Sequence, residues 1–201
     1  MNVFSCYVKN ATMNKGKIIT LFVLLMFFLG CMKDVKKDII LMKSVPFELN
    51  IDDLTCVKLS HDTIKNTESR ELLKIVVFSD STVCSPCEIK ALTAWNHYMQ
   101  LVQRSEGKLQ LYFIFASNKK DAKSLLYTLK EYFIDYPVYI DTRGVFQQNN
   151  PHLSKNRLLH TFLLDENNNV ILVGNPVRNL RVKDLYDKAI VQKIPISDNN
   201  M

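Results

Sequence analysis

Leu72-Leu73-Lys74-Ile75-Val76-Val77-Phe78-Ser79-Asp80-Ser81-Thr82-Val83-Cys84-Ser85-Pro86-Cys87 joins a run of apolar and β-branched residues to two cysteines separated by two positions. The run 72–79 is of strand length and suits a strand buried on both faces. Beyond the cysteines, Ile89, Leu92, Trp95, Met99 and Val102 recur in steps of three and four, which defines one face of a helix ending near Gly107. The pair is therefore expected at a strand-to-helix junction. Unpaired N–H groups and the helix dipole at such a start favour a thiolate at Cys84. Cys87, one turn into the helix, is spaced to resolve a mixed disulfide formed by Cys84. Pro86 fits the first turn, where a missing N–H costs nothing.

Working outward, residues 109–116 repeat the buried-strand pattern, and 121–133 predict a helix with Leu125, Leu126, Leu129 and Phe133 turned inward. A third strand is expected at 137–140 and a short helix at 144–148. Residues 158–164 and 170–173 flank Asp165-Glu166-Asn167-Asn168-Asn169, whose residue types tolerate positive φ and predict a β-hairpin. Gly174-Asn175-Pro176 then breaks the strand, and Val182, Leu185 and Ile190 mark a final amphipathic helix. The order βαβαβ followed by ββα predicts an α/β fold with a mixed central sheet and helices on both faces. Ahead of it, 47–51 and 55–59 read as two strands around Asp52-Asp53, an N-terminal β-hairpin extension, with a polar loop over 61–71.

At the N-terminus, Lys15 and Lys17 precede an apolar run from Ile18 to Leu29 that ends in Gly30 and Cys31. This is the architecture of an export signal, and the run is shorter than the roughly 20 residues a spanning helix needs. Phe28-Leu29-Gly30-Cys31 resembles the bacterial lipobox, which implies lipidation of Cys31 and a membrane anchor in the cell envelope, periplasmic or surface-facing. The expected organisation is a signal peptide at 1–30, a lipidated tether at 31–45, the hairpin extension and loop at 46–71, one domain at 72–194 and a tail at 195–201. Removing the signal takes Lys9, Lys15 and Lys17 and no acid, so the formal charge falls from +6 to +3. That modest charge, with no basic cluster interleaved with aromatics, argues against nucleic acid as a partner.

An exported chain tolerates disulfides. Only Cys84 and Cys87 are spaced for a local bridge, and Cys56 is expected as a small buried residue in its strand. A CxxC also supplies half of many zinc sites, but no second one exists here. Zinc would have to recruit two of His97, His152 and His160 or a second chain, so neither metal nor other cofactor is expected. His97 is expected in solvent on the polar helix face.

The strand, Cys84-Ser85-Pro86-Cys87, the following helix and Thr161-Phe162-Leu163-Leu164-Asp165 with Val170-Ile171-Leu172 together resemble the thioredoxin superfamily, in its membrane-anchored TlpA/ResA-like branch. The likeness covers 72–190 in element order. It implies a thioredoxin-like fold, Cys84 and Cys87 as redox pair, Val83, Ser85, Pro86, Leu159, His160 and Thr161 as the active-site loops, and exchange with the thiols or disulfides of exported proteins. The chain departs from the family at two places. Val83 stands where members carry Trp, and Leu159 stands where they carry a cis-proline, with His160 next to it. A cis non-proline bond costs about 2.5–4 kcal/mol, so this loop is expected to be trans and differently shaped. Two alternative functions follow. One is a redox-inactive partner-binding module in which the bridge is a staple; the other is copper delivery, with Cys84, Cys87 and His160 holding Cu(I).

Overall fold

The computed structural model describes residues 34–59, 72–80, 89–117 and 121–194. The chain divides into two units, Met1–Lys37 and Asp38–Met201. Of the first, residues 34–37 are described, and they are helical. The second begins with helical residues 38–42 and holds a six-stranded sheet. Its strands are β1 (Thr55–Val57), β2 (Leu73–Ser79), β3 (Leu109–Ala116), β4 (Val138–Asp141), β5 (Thr161–Asp165) and β6 (Val170–Val173), in the order β1-β4-β3-β2-β5-β6. β2, β3 and β4 run parallel, while β1, β5 and β6 pair antiparallel. The helices are α1 (Asn96–Arg104), α2 (Asp121–Glu131), α3 (Val145–Asn149) and α4 (Leu180–Lys193). This mixed sheet with helices on both sides is the α/β class expected from the element order, and its strand order agrees with the thioredoxin-like fold that the resemblance implied.

The two faces of the sheet have separate cores. The connections β2–α1–β3 and β3–α2–β4 step the same way across the sheet, so right-handed crossovers place both helices on one face. There Trp95 and Tyr136 meet Phe113 edge-on, and Tyr98 meets Tyr186 of α4. Side chains alternate across a strand, so Val76, Phe78 and Phe162 face the other way. Phe47 lies 4.5 Å from Phe162, and Phe146 of α3 lies 5.0 Å from Phe78, ring centre to ring centre. Asn150 fastens this second layer: it accepts from Glu48 N at 2.8 Å and donates to Glu48 O at 3.0 Å.

Several expectations are corrected. The hairpin at 47–59 does not form; residues 51–53 are a 3-10 turn, and the one strand there, β1, pairs with β4. Consequently Cys56 is exposed rather than buried, on the edge of the sheet. Residues 38–45, expected as part of a tether, belong instead to the folded unit, where Met42 is fully buried. Residues 158–160, read as strand, instead form a 3-10 turn and its cap. Phe133 is not inward but 90% exposed: at φ 53° it ends α2 in a Schellman-type turn, Ile134 N donating to Leu129 O at 3.0 Å, and Ile134 takes the buried place. In α4 Ile190 is buried as expected, but the other buried residue is Tyr186, while Leu185 is half exposed. His97 is half exposed as expected, 3.5 Å from Asp187.

Two phenylalanines at opposite extremes of burial test this packing. Phe113→Ala should cost about 3–5 kcal/mol in urea unfolding, and Phe133→Ala should stay within about 0.5 kcal/mol of the parent. Similar losses at both positions would contradict it.

Candidate functional site

β2 is paired on both sides, but unequally. β3 accompanies it to Ser79, whereas β5 begins at Thr161 opposite Val77. Past that point Phe78 N donates to His160 O at 2.9 Å, which fixes His160 beside the end of β2. Just upstream, Asn156 caps the 3-10 turn Arg157–Leu159, its side chain accepting from Leu158 N at 3.1 Å. No peptide bond among the described residues is cis, so the bond before Leu159 is trans. Leu159 and Thr161 are buried on either side of His160.

The His160 ring is itself only 4% exposed and packs against Phe78 at 5.3 Å. Its Nε2 stands 2.8 Å from Ser154 O. A carbonyl only accepts, so Nε2 carries the proton and Nδ1 is the nitrogen with a lone pair. Burial pushes the imidazole pKa down, Ser154 O and Asp80 partly oppose this, and Arg157 adds to it. His152 lies on the same side of the sheet, edge-on to Phe47 at 4.4 Å, and burial lowers its pKa as well.

Around this turn opens a cleft of about 550 Å³, lined by the end of β2, the 155–158 segment and Arg178. A smaller one of about 330 Å³ adjoins it, and Asp80, Lys155 and His160 border both. Ligand crevices of open α/β sheets lie at the carboxyl ends of their strands, which is where this cleft sits. Among its described lining residues, Lys155, Arg157 and Arg178 against Asp80 give a positive balance that favours anions.

Of the site residues expected from sequence, Leu159, His160 and Thr161 come together here. Val83, Cys84, Ser85, Pro86, Cys87 and the lipidation residue Cys31 lie outside the described residues. Asp80, Ser154, Lys155, Arg157 and Arg178 form no motif in the sequence; only the fold assembles them. Cys56 is remote, since β1 is three strands from β2, roughly 14 Å at the usual strand spacing. Among the described residues no group of three His, Cys, Asp or Glu is arranged to hold a metal ion, and no helix is long and apolar enough to cross a membrane.

No protein-family model matches the chain, and no curated protein matches it. Solved structures that match include thioredoxin-like proteins. They include a thioredoxin-like protein from Porphyromonas gingivalis, at 17% identity over 74% of this chain and 91% of that one, with a TM-score of 0.43. A thiol-disulfide isomerase from Corynebacterium glutamicum matches at 15% identity over 71% of this chain and 96% of that one, with a TM-score of 0.45. The thioredoxin domain of a thiol-disulfide oxidoreductase from Bacteroides vulgatus matches at 12% identity over 65% and 93%, with a TM-score of 0.40. The fold assignment rests on the strand order and register rather than on these likenesses.

The buried imidazole has a consequence for stability. A base whose pKa falls on folding binds fewer protons native than unfolded between the two values. Its stabilising effect is therefore complete above the ordinary value of about 6.5 and is lost as pH falls through the depressed native one. The urea midpoint should drop as pH falls from about 6.5 toward the depressed native value and level off below it. His160→Gln, which keeps a donor for Ser154 O but cannot titrate, should remove part of the drop, His152 supplying the rest; an unchanged acid slope would show that the ring is not the cause.

Proposed function

We propose that this chain is a thiol-disulfide oxidoreductase of the bacterial cell envelope, anchored by lipid at Cys31 and exchanging disulfides with exported proteins through Cys84 and Cys87. The observation that supports it most is what stands on either side of the cysteine pair in the sequence. Asp80 ends the strand and lines the cleft, Ile89 is helical and fully buried, and the cysteine pair falls between them in the chain. Cys84 follows Asp80 by four residues, so covalent length alone keeps its Cα within roughly 14 Å of Asp80.

The chemistry is two successive exchanges. The Cys84 thiolate attacks one sulfur of a partner disulfide, a mixed disulfide forms, and the other partner sulfur leaves as a thiolate that takes up a proton. The Cys87 thiolate then attacks Cys84 Sγ, closing the 84–87 disulfide and releasing the second partner thiol. Two electrons have passed to the partner, and a dithiol donor must return them; run backwards, the same steps oxidise a dithiol. A positive cleft at the end of β2, which Cys84 follows by a few residues in the chain, would favour the thiolate form that each step needs.

Insulin reduction by the full chain tests the reading. Cys84→Ser should fall to background, and Cys87→Ser should accumulate a partner-linked mixed disulfide in non-reducing gels. Equal rates for the parent and Cys84→Ser would refute catalysis and leave the bridge as a staple.

A further inference from the structure

The turn beside the cleft has spent its backbone donors. Leu158 N donates to Asn156 Oδ1, Leu159 N to Asn156 O at 2.9 Å and His160 N to Arg157 O at 3.2 Å. On the other side of β5, Thr161 O accepts from Gly174 N at 2.8 Å. A partner segment laid against this turn finds no amide at 158–160 to pair with as an added strand. What the turn does present is side chains. Leu158 is 75% exposed, and Lys155 and Arg157, also exposed, precede it in sequence. Arg178, from the segment before α4, brings a third exposed cation to the same cleft, where Asp80 is the acid among the described lining residues.

We propose that this cleft docks an acidic polypeptide segment, with Lys155, Arg157 and Arg178 reading its carboxylates and Leu158 receiving a neighbouring apolar side chain. The inference deepens the oxidoreductase reading and rests on it for the partner's cysteine, though not for the docking itself. A polypeptide fits better than a small anionic thiol. The cations come from two separate segments, are exposed rather than gathered in one buried pocket, and stand beside an apolar side chain that a small dicarboxylate would leave in water.

The test uses the full chain and fluorescein-labelled peptides of equal length carrying Ser in place of cysteine, flanked by Leu and by either Asp/Glu or Lys. Each exposed ion pair is worth at most a few-fold, so three together should favour the acidic peptide by roughly tenfold in anisotropy at low salt, and added salt should erase the difference. Neutralising Lys155, Arg157 and Arg178 to Gln should abolish the preference, and Lys130→Gln on α2 should keep it. Arg157→Glu with Arg178→Glu should invert the preference toward the basic peptide, an outcome that misfolding does not produce. Equal binding of the two peptides by the parent overturns the proposal. So does a small disulfide, 3,3′-dithiodipropionate, whose exchange slows in the triple Gln variant as much as that of a cysteine-containing acidic peptide. If the acidic peptide binds selectively but its disulfide counterpart is not reduced, docking stands and the redox reading fails; reduction of both peptides at equal rates with equal binding gives the reverse.

Discussion

The structure depends on one unequal pairing. β2 is bonded along its length to β3, but β5 leaves it at Val77, two residues before its end, and the single bond from Phe78 N to His160 O carries the chain past that point. Backbone groups in a buried sheet must be paired. The polypeptide meets that demand here by turning away through a 3-10 turn instead of continuing as strand. The overhang of Ser79 and Asp80 is what makes a cleft possible, and the turn is what walls it.

That turn also explains why His160 is buried and neutral. Its ring lies against Phe78, in an aromatic layer that Phe47, Phe146 and Phe162 complete on the second face of the sheet. The layer is closed from outside by the segment ahead of β1. Phe47 N donates to Asn168 O, Lys43 Nζ donates to Ile171 O, and Asp38 accepts from Ser154 Oγ, next to the carbonyl that holds the imidazole. The residues after Asp38 thus support the site's floor.

Much of this was legible in the sequence because burial writes itself as pattern. β2 and β3 are flanked on both sides and covered on both faces, so their apolar runs stand out, and the asparagine-rich turn marks the β5–β6 hairpin through Asn168 at φ 64°. Where the reading failed, a local interaction outweighed hydrophobicity. Leu158 and Leu159 look like strand, but the Asn156 side chain caps a turn there. Phe133 looks like core, but a left-handed residue has to end α2, and the chain turns it out to bring Ile134 in. Tyr98 and Tyr186 were passed over because a phenol reads as polar, although a buried tyrosine packs as an aromatic body. Of the described site, Leu159, His160 and Thr161 were named from the sequence, though the turn that holds Leu159 and His160 was read as strand. The three cations were not, since Lys155 and Arg157 are separated from Arg178 by the whole β5–β6 hairpin.

The central proposal is that Cys84, the first cysteine of the pair, is an unusually acidic thiol. Its most direct test is the pH dependence of iodoacetamide alkylation in the reduced full chain, followed at Cys84 and Cys56 separately by peptide mass spectrometry. The account predicts that Cys84 titrates clearly below the roughly 8.5 of a free cysteine, in the range of reactive CxxC thiols. A Cys84 alkylation profile at or above that free value, indistinguishable from that of Cys56 on the far edge of the sheet, would contradict it.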